Sequence, residues 1–135
     1  IIAGSVSYKN YNLQKFIKSN PLVIEIRNPK DELLDHLYNN CITLILLSFD
    51  EGFGIPIIEA ASRSKKVVLS NIEVFKEIAP KNSLILNLRK ENQHLKLLHD
   101  YINKEVRVDP QTIFDEWSWE NSSLKLKKLL LFHLS

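Results

Sequence analysis

The chain is poor in the residues that mark several classes of protein. It has one cysteine and no methionine among 135 residues. A lone Cys41 cannot form an internal disulfide, which argues against a disulfide-stapled secreted domain and favours a reducing compartment. No uninterrupted apolar run is longer than Leu44–Leu47, so no segment is predicted to span a bilayer. The histidines are scattered and lack a second ligand type at metal spacing, so no metal site is predicted.

Strong charge is also lacking. The formal net charge of +2 is too small to predict a nucleic-acid partner. The chain opens on Ile1-Ile2-Ala3-Gly4, which is typical of a strand entering a loop. We therefore expect residue 1 to be internal to a longer protein. A length of 135 residues suits one compact domain, so residues 1–135 are predicted to form a single domain that is incomplete on its N-terminal side.

What the sequence does contain is a regular alternation of strand and helix patterns. Alternation of this kind implies right-handed crossovers and predicts an α/β fold, a Rossmann-like parallel sheet with helices on both faces. The nearly continuous apolar stretch Ile42–Leu47 predicts a central strand buried on both faces. The other predicted strands are Ile1–Ala3, Leu22–Ile26, Val67–Leu69 and Ser83–Leu88, and the helices are Tyr11–Ser19, a helix starting at Asn28, Pro56–Ser64, Glu73–Ile78, Glu91–Lys104 and a last helix capped by Ser118, with a loop at Pro110.

The loop after the predicted central strand is the most informative part of the chain. Two of the three glycines, Gly52 and Gly54, flank Phe53 there, so backbone can approach a ligand closely. A helix begins directly afterwards, and its first N–H groups and its dipole favour an anion. Pro56 has no N–H, so the donors would be those of Phe53, Gly54 and Ile55. This arrangement suits a diphosphate.

Two carboxylates bracket this loop, Glu51 before the glycines and Glu59 in the following helix. Neither is suited to bind phosphate, because like charges repel, but both can accept hydrogen bonds from sugar hydroxyls. A nucleotide sugar has hydroxyls on both sides of its diphosphate, so the pattern suggests one acid for each sugar ring. Apolar neighbours predict that Glu59 is largely buried. Stabilisation of the helix N-terminus is the alternative explanation for Glu59.

The stretch from Glu51 to Glu59 matches the signature E-G-F-G-x-P-x-x-E-A. In this the chain resembles the group 1 glycosyltransferases, retaining enzymes with the double-Rossmann (GT-B) architecture. The likeness covers essentially the whole chain. Further elements that resemble the group are Ser48 before the signature, Leu37–Cys41, Val67–Ser70, Glu77-Ile78 and Trp117-Ser118-Trp119.

The resemblance implies the C-terminal, donor-binding half of a GT-B enzyme. Such an enzyme transfers a hexose from a nucleotide diphosphate sugar to an acceptor hydroxyl with retention, here in bacterial surface polysaccharide or glycoconjugate synthesis. Glu51 would lie beside the transferred sugar as the catalytic residue, and Glu59 would hold the ribose. The backbone of Gly52, Phe53 and Gly54 would contact the diphosphate and the sugar. The resemblance further implies no metal or other cofactor, and a cytoplasmic enzyme that leaves peripheral association with the inner membrane face open.

The sequence also departs from this group. Ser64-Lys65-Lys66 stands where many members have Gly-Thr-Pro. Residues 1–135 show no equivalent of the group's cationic Gly-Arg…Lys segment or of its acceptor-binding N-terminal domain, so the isolated chain is expected to be inactive without that domain as its partner. Two alternatives remain open: a non-catalytic nucleotide-sugar-binding module, and an unrelated flavodoxin-like domain in which Glu51 and Glu59 are structural. Trp119 is predicted to be a core aromatic.

Overall fold

The computed structural model of the chain describes residues 1–4, 11–90 and 93–133. It confirms the predicted α/β class, with parallel strands and intervening helices. Residues 91 and 92 of the predicted fifth helix lie outside the described residues. The elements in chain order are β1 (Ile2–Gly4), α1 (Tyr11–Ser19), β2 (Glu25–Arg27), α2 (Asp31–Asn40), β3 (Thr43–Leu46), α3 (Ile55–Ala61), β4 (Lys66–Ser70), α4 (Glu73–Ile78), β5 (Leu84–Leu86), α5 (His94–Asn103), α6 (Pro110–Trp117) and α7 (Trp119–His133).

The chain divides into two compact units, Ile1–Leu37 and Tyr38–Ser135. In the first, β1 and β2 form a parallel pair in which Ala3 lies opposite Ile26. Arg27 Nη2 donates to Glu25 Oε2 at 3.0 Å, and this hydrogen bond lowers the pKa of the Glu25 carboxyl. The Arg27 side chain is exposed, so the pair contributes little to stability.

In the second unit, three parallel strands form a sheet in the order β3-β4-β5. The middle strand is β4, in which Val67, Val68 and Leu69 are fully buried. The prediction that Ile42–Leu47 forms the central strand is wrong for this sheet, because β3 lies at its edge and is only partly buried. Both segments are short apolar runs, and hydrophobicity alone cannot rank two such strands.

The core of the second unit lies between this sheet and two short helices. Ile57 and Ala60 of α3 and Phe75 of α4 have no exposed surface, and Ile78 of α4 is 2% exposed. A smaller cluster joins the end of α3 to α6 through Ala61, Val108 and Ile113. The helix that carries the signature is therefore anchored on several sides.

The C-terminal region differs from its prediction in two places. Pro110, predicted to mark a loop, is the first residue of α6, where proline needs no N–H partner, and Asp109 caps this helix by accepting from Gln111 N at 2.9 Å. Ser118 caps α7 as predicted, with its hydroxyl accepting from Asn121 N at 3.1 Å. Trp119 is 93% exposed, so its predicted role as a core aromatic is wrong.

Across the described part of the chain, no helix has both the length and the apolar character that crossing a membrane requires.

The turn after α3 is built without glycine. Ser64 adopts a left-handed conformation with φ 57°. Its N–H donates to Ala61 O at 2.9 Å, and Lys65 N donates to Ala60 O at 3.0 Å. Left-handed residues that close a helix in this way are usually glycine, because a Cβ is strained there. These two hydrogen bonds end α3 in the way a glycine turn would, but the backbone of Ser64 is strained.

Candidate functional site

The loop between β3 and α3 is fixed to the end of the middle strand. Ser70, the last residue of β4, is 1% exposed. Its Oγ accepts from Ser48 N at 3.1 Å and donates to Ser48 O. A buried hydroxyl that makes both bonds holds the loop firmly, because breaking either bond would leave a buried polar group unpaired. Sequence reasoning missed the role of Ser70 in holding this loop, since a serine ending a strand gives no distinctive signal.

Glu51 lies in this loop with its carboxylate exposed. The Ser48 hydroxyl donates to Glu51 Oε1 at 2.9 Å. Hydrogen bonds therefore connect Ser70, at the buried end of β4, through Ser48 to Glu51, the predicted catalytic acid. An ionised carboxylate accepts up to four hydrogen bonds, so Glu51 retains capacity for a ligand hydroxyl.

The two glycines of the signature have different surroundings. A Cβ built on Gly52 meets no atom within 4 Å. Gly54 is buried with φ 95°, and a Cβ there would lie 3.0 Å from Ile57 Cδ1 and 3.0 Å from Phe75 Cε1. Gly54 therefore allows the loop to pack onto α3 and α4, whereas Gly52 leaves open space in front of the backbone.

Phe53 and Ile55 stand on either side of Gly54. The Phe53 ring is 40% exposed and packs edge-on against Trp117, with ring centroids 5.3 Å apart. Ile55 opens α3 and is 61% exposed. A turn bond at the start of α3 runs from Ile57 N to Gly54 O at 2.9 Å. The N–H groups predicted to face a diphosphate, those of Phe53, Gly54 and Ile55, all precede this bond.

Glu59 is half-buried rather than largely buried, and it has a specific partner. The Tyr38 hydroxyl, on the last turn of α2, donates to Glu59 Oε2 at 2.8 Å. Tyr38 is 8% exposed, and the Arg63 guanidinium lies 5.4 Å from the centre of its ring. Burial, followed by the hydrogen bond to Glu59, raises the pKa of Tyr38, so the phenol stays a donor at neutral pH. Sequence reasoning identified Tyr38 only within the stretch Leu37–Cys41, because the sequence does not show which acid a tyrosine contacts.

In the structure, Glu51, Gly52, Phe53 and Gly54 lie in the loop before α3, and Ile55 and Glu59 lie in α3, which begins one residue earlier than predicted. Each acid accepts a hydrogen bond from a neighbouring hydroxyl. Within the described ranges, no three side chains of histidine, cysteine, aspartate or glutamate come together as ligands for a metal ion.

Comparison with known proteins gives a consistent match. The model of the family "Glycosyl transferases group 1" matches residues 1–107. The serotype-specific mannosyltransferase WbdA of Escherichia coli is 34% identical over 107 residues, which are 78% of this chain and 13% of that protein. The O-antigen chain mannosyltransferase RfbU of Salmonella typhimurium is 43% identical over 51 residues, 38% of this chain and 14% of that protein.

A third relative, the O-antigen chain mannosyltransferase B of Escherichia coli, is 42% identical over 55 residues, 41% of this chain. The chain spans only 13% to 14% of the length of these curated relatives. No solved structure gives a significant match.

Proposed function

This chain belongs to the group 1 glycosyltransferases, and we propose that it binds the nucleotide diphosphate sugar donor of a retaining hexosyl transfer. The relatives described above are mannosyltransferases, two of them named for the O-antigen chain. We therefore propose mannose as the transferred sugar and a bacterial surface polysaccharide as the product. Membership of the family removes the unrelated flavodoxin-like alternative.

The observation that carries the proposal is the pair of acids at the two ends of one segment. Glu51 Oε1 accepts from Ser48, and Glu59 Oε2 accepts from Tyr38. Each carboxylate is thereby oriented, and each keeps a second oxygen that can accept from a sugar hydroxyl. The open backbone at Gly52 lies between them. In this proposal the diphosphate lies along that backbone, with the ribose on Glu59 and the hexose on Glu51.

In the proposed reaction, the segment from Glu51 to Glu59 orients the sugar donor and supplies negative charge beside the transferred sugar. As the bond from the anomeric carbon to the diphosphate oxygen breaks, positive charge develops on the sugar, and a nearby carboxylate stabilises it. The N–H groups of the loop would stabilise the leaving diphosphate, together with basic side chains from outside this chain. The acceptor oxygen takes the sugar, and its proton leaves with the nucleoside diphosphate or solvent. The proposal includes no bound metal.

The test is a calorimetric titration of the chain with GDP and with UDP, which carry the ribose and diphosphate but no hexose. We expect one of them to bind, and E59Q to weaken that binding on the order of tenfold, as for loss of a hydrogen bond to a charged group. E51Q should leave it unchanged, because the hexose is absent. E120Q, which removes an exposed charge on α7, is the matched control.

Two results would contradict the donor site: binding of neither nucleotide, or binding that is lost in E51Q and retained in E59Q. The second would reverse the assignment of the acids. A non-catalytic donor-binding module is the competing function, and the assay that separates it is sugar transfer by the full-length protein. Binding of the donor without any turnover would favour the module.

A further inference from the structure

The Phe53 residue lies on the signature loop where the backbone is proposed to face the diphosphate. Its two neighbours along the chain have opposite surroundings. A Cβ on Gly54 would lie 3.0 Å from Phe75 Cε1, so packing restrains the loop there, whereas a Cβ on Gly52 would meet no atom within 4 Å. Glycine also has the freest backbone of any residue. The position of the Phe53 N–H therefore depends on what holds the Phe53 side chain.

The ring that contacts Phe53 is that of Trp117, the last residue of α6. The two ring centroids are 5.3 Å apart and the ring planes meet at 67°. This is the edge-to-face geometry that aromatic pairs favour. Trp117 is half-buried, and Nζ of Lys125 in α7 lies 5.9 Å from the centre of its ring. A cation at that distance is attracted to the face of a tryptophan, so α7 restrains Trp117 in turn.

Helix α6 is itself anchored to the helix that follows the loop. Ile113 of α6 is 4% exposed and belongs to the buried cluster that contains Ala61, at the end of α3. Trp117 follows Ile113 by about one helical turn. Helix α6 therefore contacts α3 through Ile113 and the loop before α3 through Trp117. It fixes the position of the Phe53 ring relative to α3.

We propose that Trp117 is a positioning residue for the donor: it holds the Phe53 ring and thereby the loop N–H groups that face the diphosphate. The proposal rests on the donor site proposed above. Both rings lie outside the buried cluster of Ala61, Val108 and Ile113, and Phe53 is 40% exposed, so the pair contributes to the loop more than to the core. Donors that are already fixed lose less conformational freedom when a ligand binds, and this preorganisation raises affinity.

The test is a calorimetric titration of the 135-residue chain with GDP and with UDP. W117L keeps an apolar side chain but has no ring, and it should weaken nucleotide binding about fivefold, as for the loss of one aromatic pair. W117F retains an aromatic ring and should bind within about twofold of the wild type. W119F replaces a tryptophan that is 93% exposed, and as the matched control it should leave binding unchanged.

A double-mutant cycle shows whether Trp117 acts through Phe53. In the F53L background, W117L should cause no further loss of affinity, because the contact between the rings is already gone. Fluorescence gives an independent measurement. The chain has two tryptophans, so W119F leaves Trp117 as its sole tryptophan. Its emission should change on nucleotide binding, because the ligand would lie against the loop that the ring contacts, and the change should saturate with the dissociation constant found by calorimetry.

A W117L chain that is less stable to heat but binds nucleotide as the wild type does would overturn the positioning role and leave the donor site intact. So would equal losses of affinity from W117L in the wild-type and F53L backgrounds, since Trp117 would then act without Phe53. Unchanged emission of W119F at saturating nucleotide would overturn it even if W117L does not fold. If the wild-type chain binds neither nucleotide, the donor site is contradicted, and the positioning role with it.

Discussion

The two ends of the signature segment differ in how closely the rest of the protein packs against them. At the first end, Gly52 has open space around it and Glu51 is exposed. At the second, Gly54 is packed against α3 and α4, and Glu59 is half-buried under the Tyr38 hydroxyl. Glycines two positions apart thus serve different purposes. Gly54 builds the turn, and Gly52 leaves a surface that a ligand can approach.

The largest expected effect is that of G54A on stability. Alanine would be strained at φ 95°, and its Cβ would lie 3.0 Å from Ile57 and Phe75. Backbone strain and overpacking together should lower the free energy of unfolding by about 2–4 kcal/mol. G52A is the matched control, expected within about 0.5 kcal/mol of the wild type. Urea denaturation of both variants measures the difference, and equal losses would erase the contrast between the two glycines.

The second-largest expected effect is the loss of catalytic rate when Glu51 is changed. E51Q keeps the shape of the side chain but removes its charge, so kcat of the full-length enzyme should fall on the order of 10²-fold. E59Q should act mainly through weaker donor binding and raise KM. Steady-state assays with a nucleoside diphosphate mannose as the donor measure kcat and KM for both variants. An E51Q enzyme with wild-type kcat would remove Glu51 from the proposed mechanism.

A smaller effect is expected when the partner of Glu59 is removed. Y38F retains the ring under Arg63 but deletes the hydroxyl that orients the carboxylate. Nucleoside diphosphate affinity should fall about fivefold, as for loss of one hydrogen bond to a charged group. The pKa of Tyr38 is raised, so the phenol is protonated at neutral pH, and the difference between wild type and Y38F should stay constant between about pH 6 and 9. A purely structural role for Tyr38 would lower stability in Y38F and leave nucleotide affinity unchanged.

The smallest effect lies at the turn that closes α3. S64G should relieve the left-handed strain at φ 57° and stabilise the chain by about 0.5–1 kcal/mol, net of the greater flexibility of glycine when unfolded. Ser62 has an ordinary φ of −62°, so S62G should destabilise instead. Thermal unfolding of the two variants should move in opposite directions. Destabilisation by S64G would show that Ser64 gains more from its side chain than it loses to strain.

Much of the fold followed from local patterns in the sequence. The apolar spacing of Tyr11–Ser19 marked α1 at its observed bounds, and Ser118 marked the cap of the last helix. The errors arose where local signals are ambiguous. Pro110 is compatible with both a loop and a first helical turn, and the solvent exposure of Trp119 depends on what α7 packs against.

The sequence by itself determined the segment that carries the site, because glycines and acids at fixed spacing next to a strand and a helix specify a loop geometry locally. It could not determine the partners of those residues. Ser70 lies 22 positions from Ser48, and Tyr38 lies 21 positions from Glu59, so only the packing of strands and helices brings each hydroxyl to its acid or loop. A cleft at the carboxyl edge of the sheet, lined by Asn71 after β4 and Arg89 after β5, likewise exists only because three parallel strands end at one edge. Contacts between distant residues depend on how strands pair and how helices pack on the sheet, which a single segment of sequence does not specify.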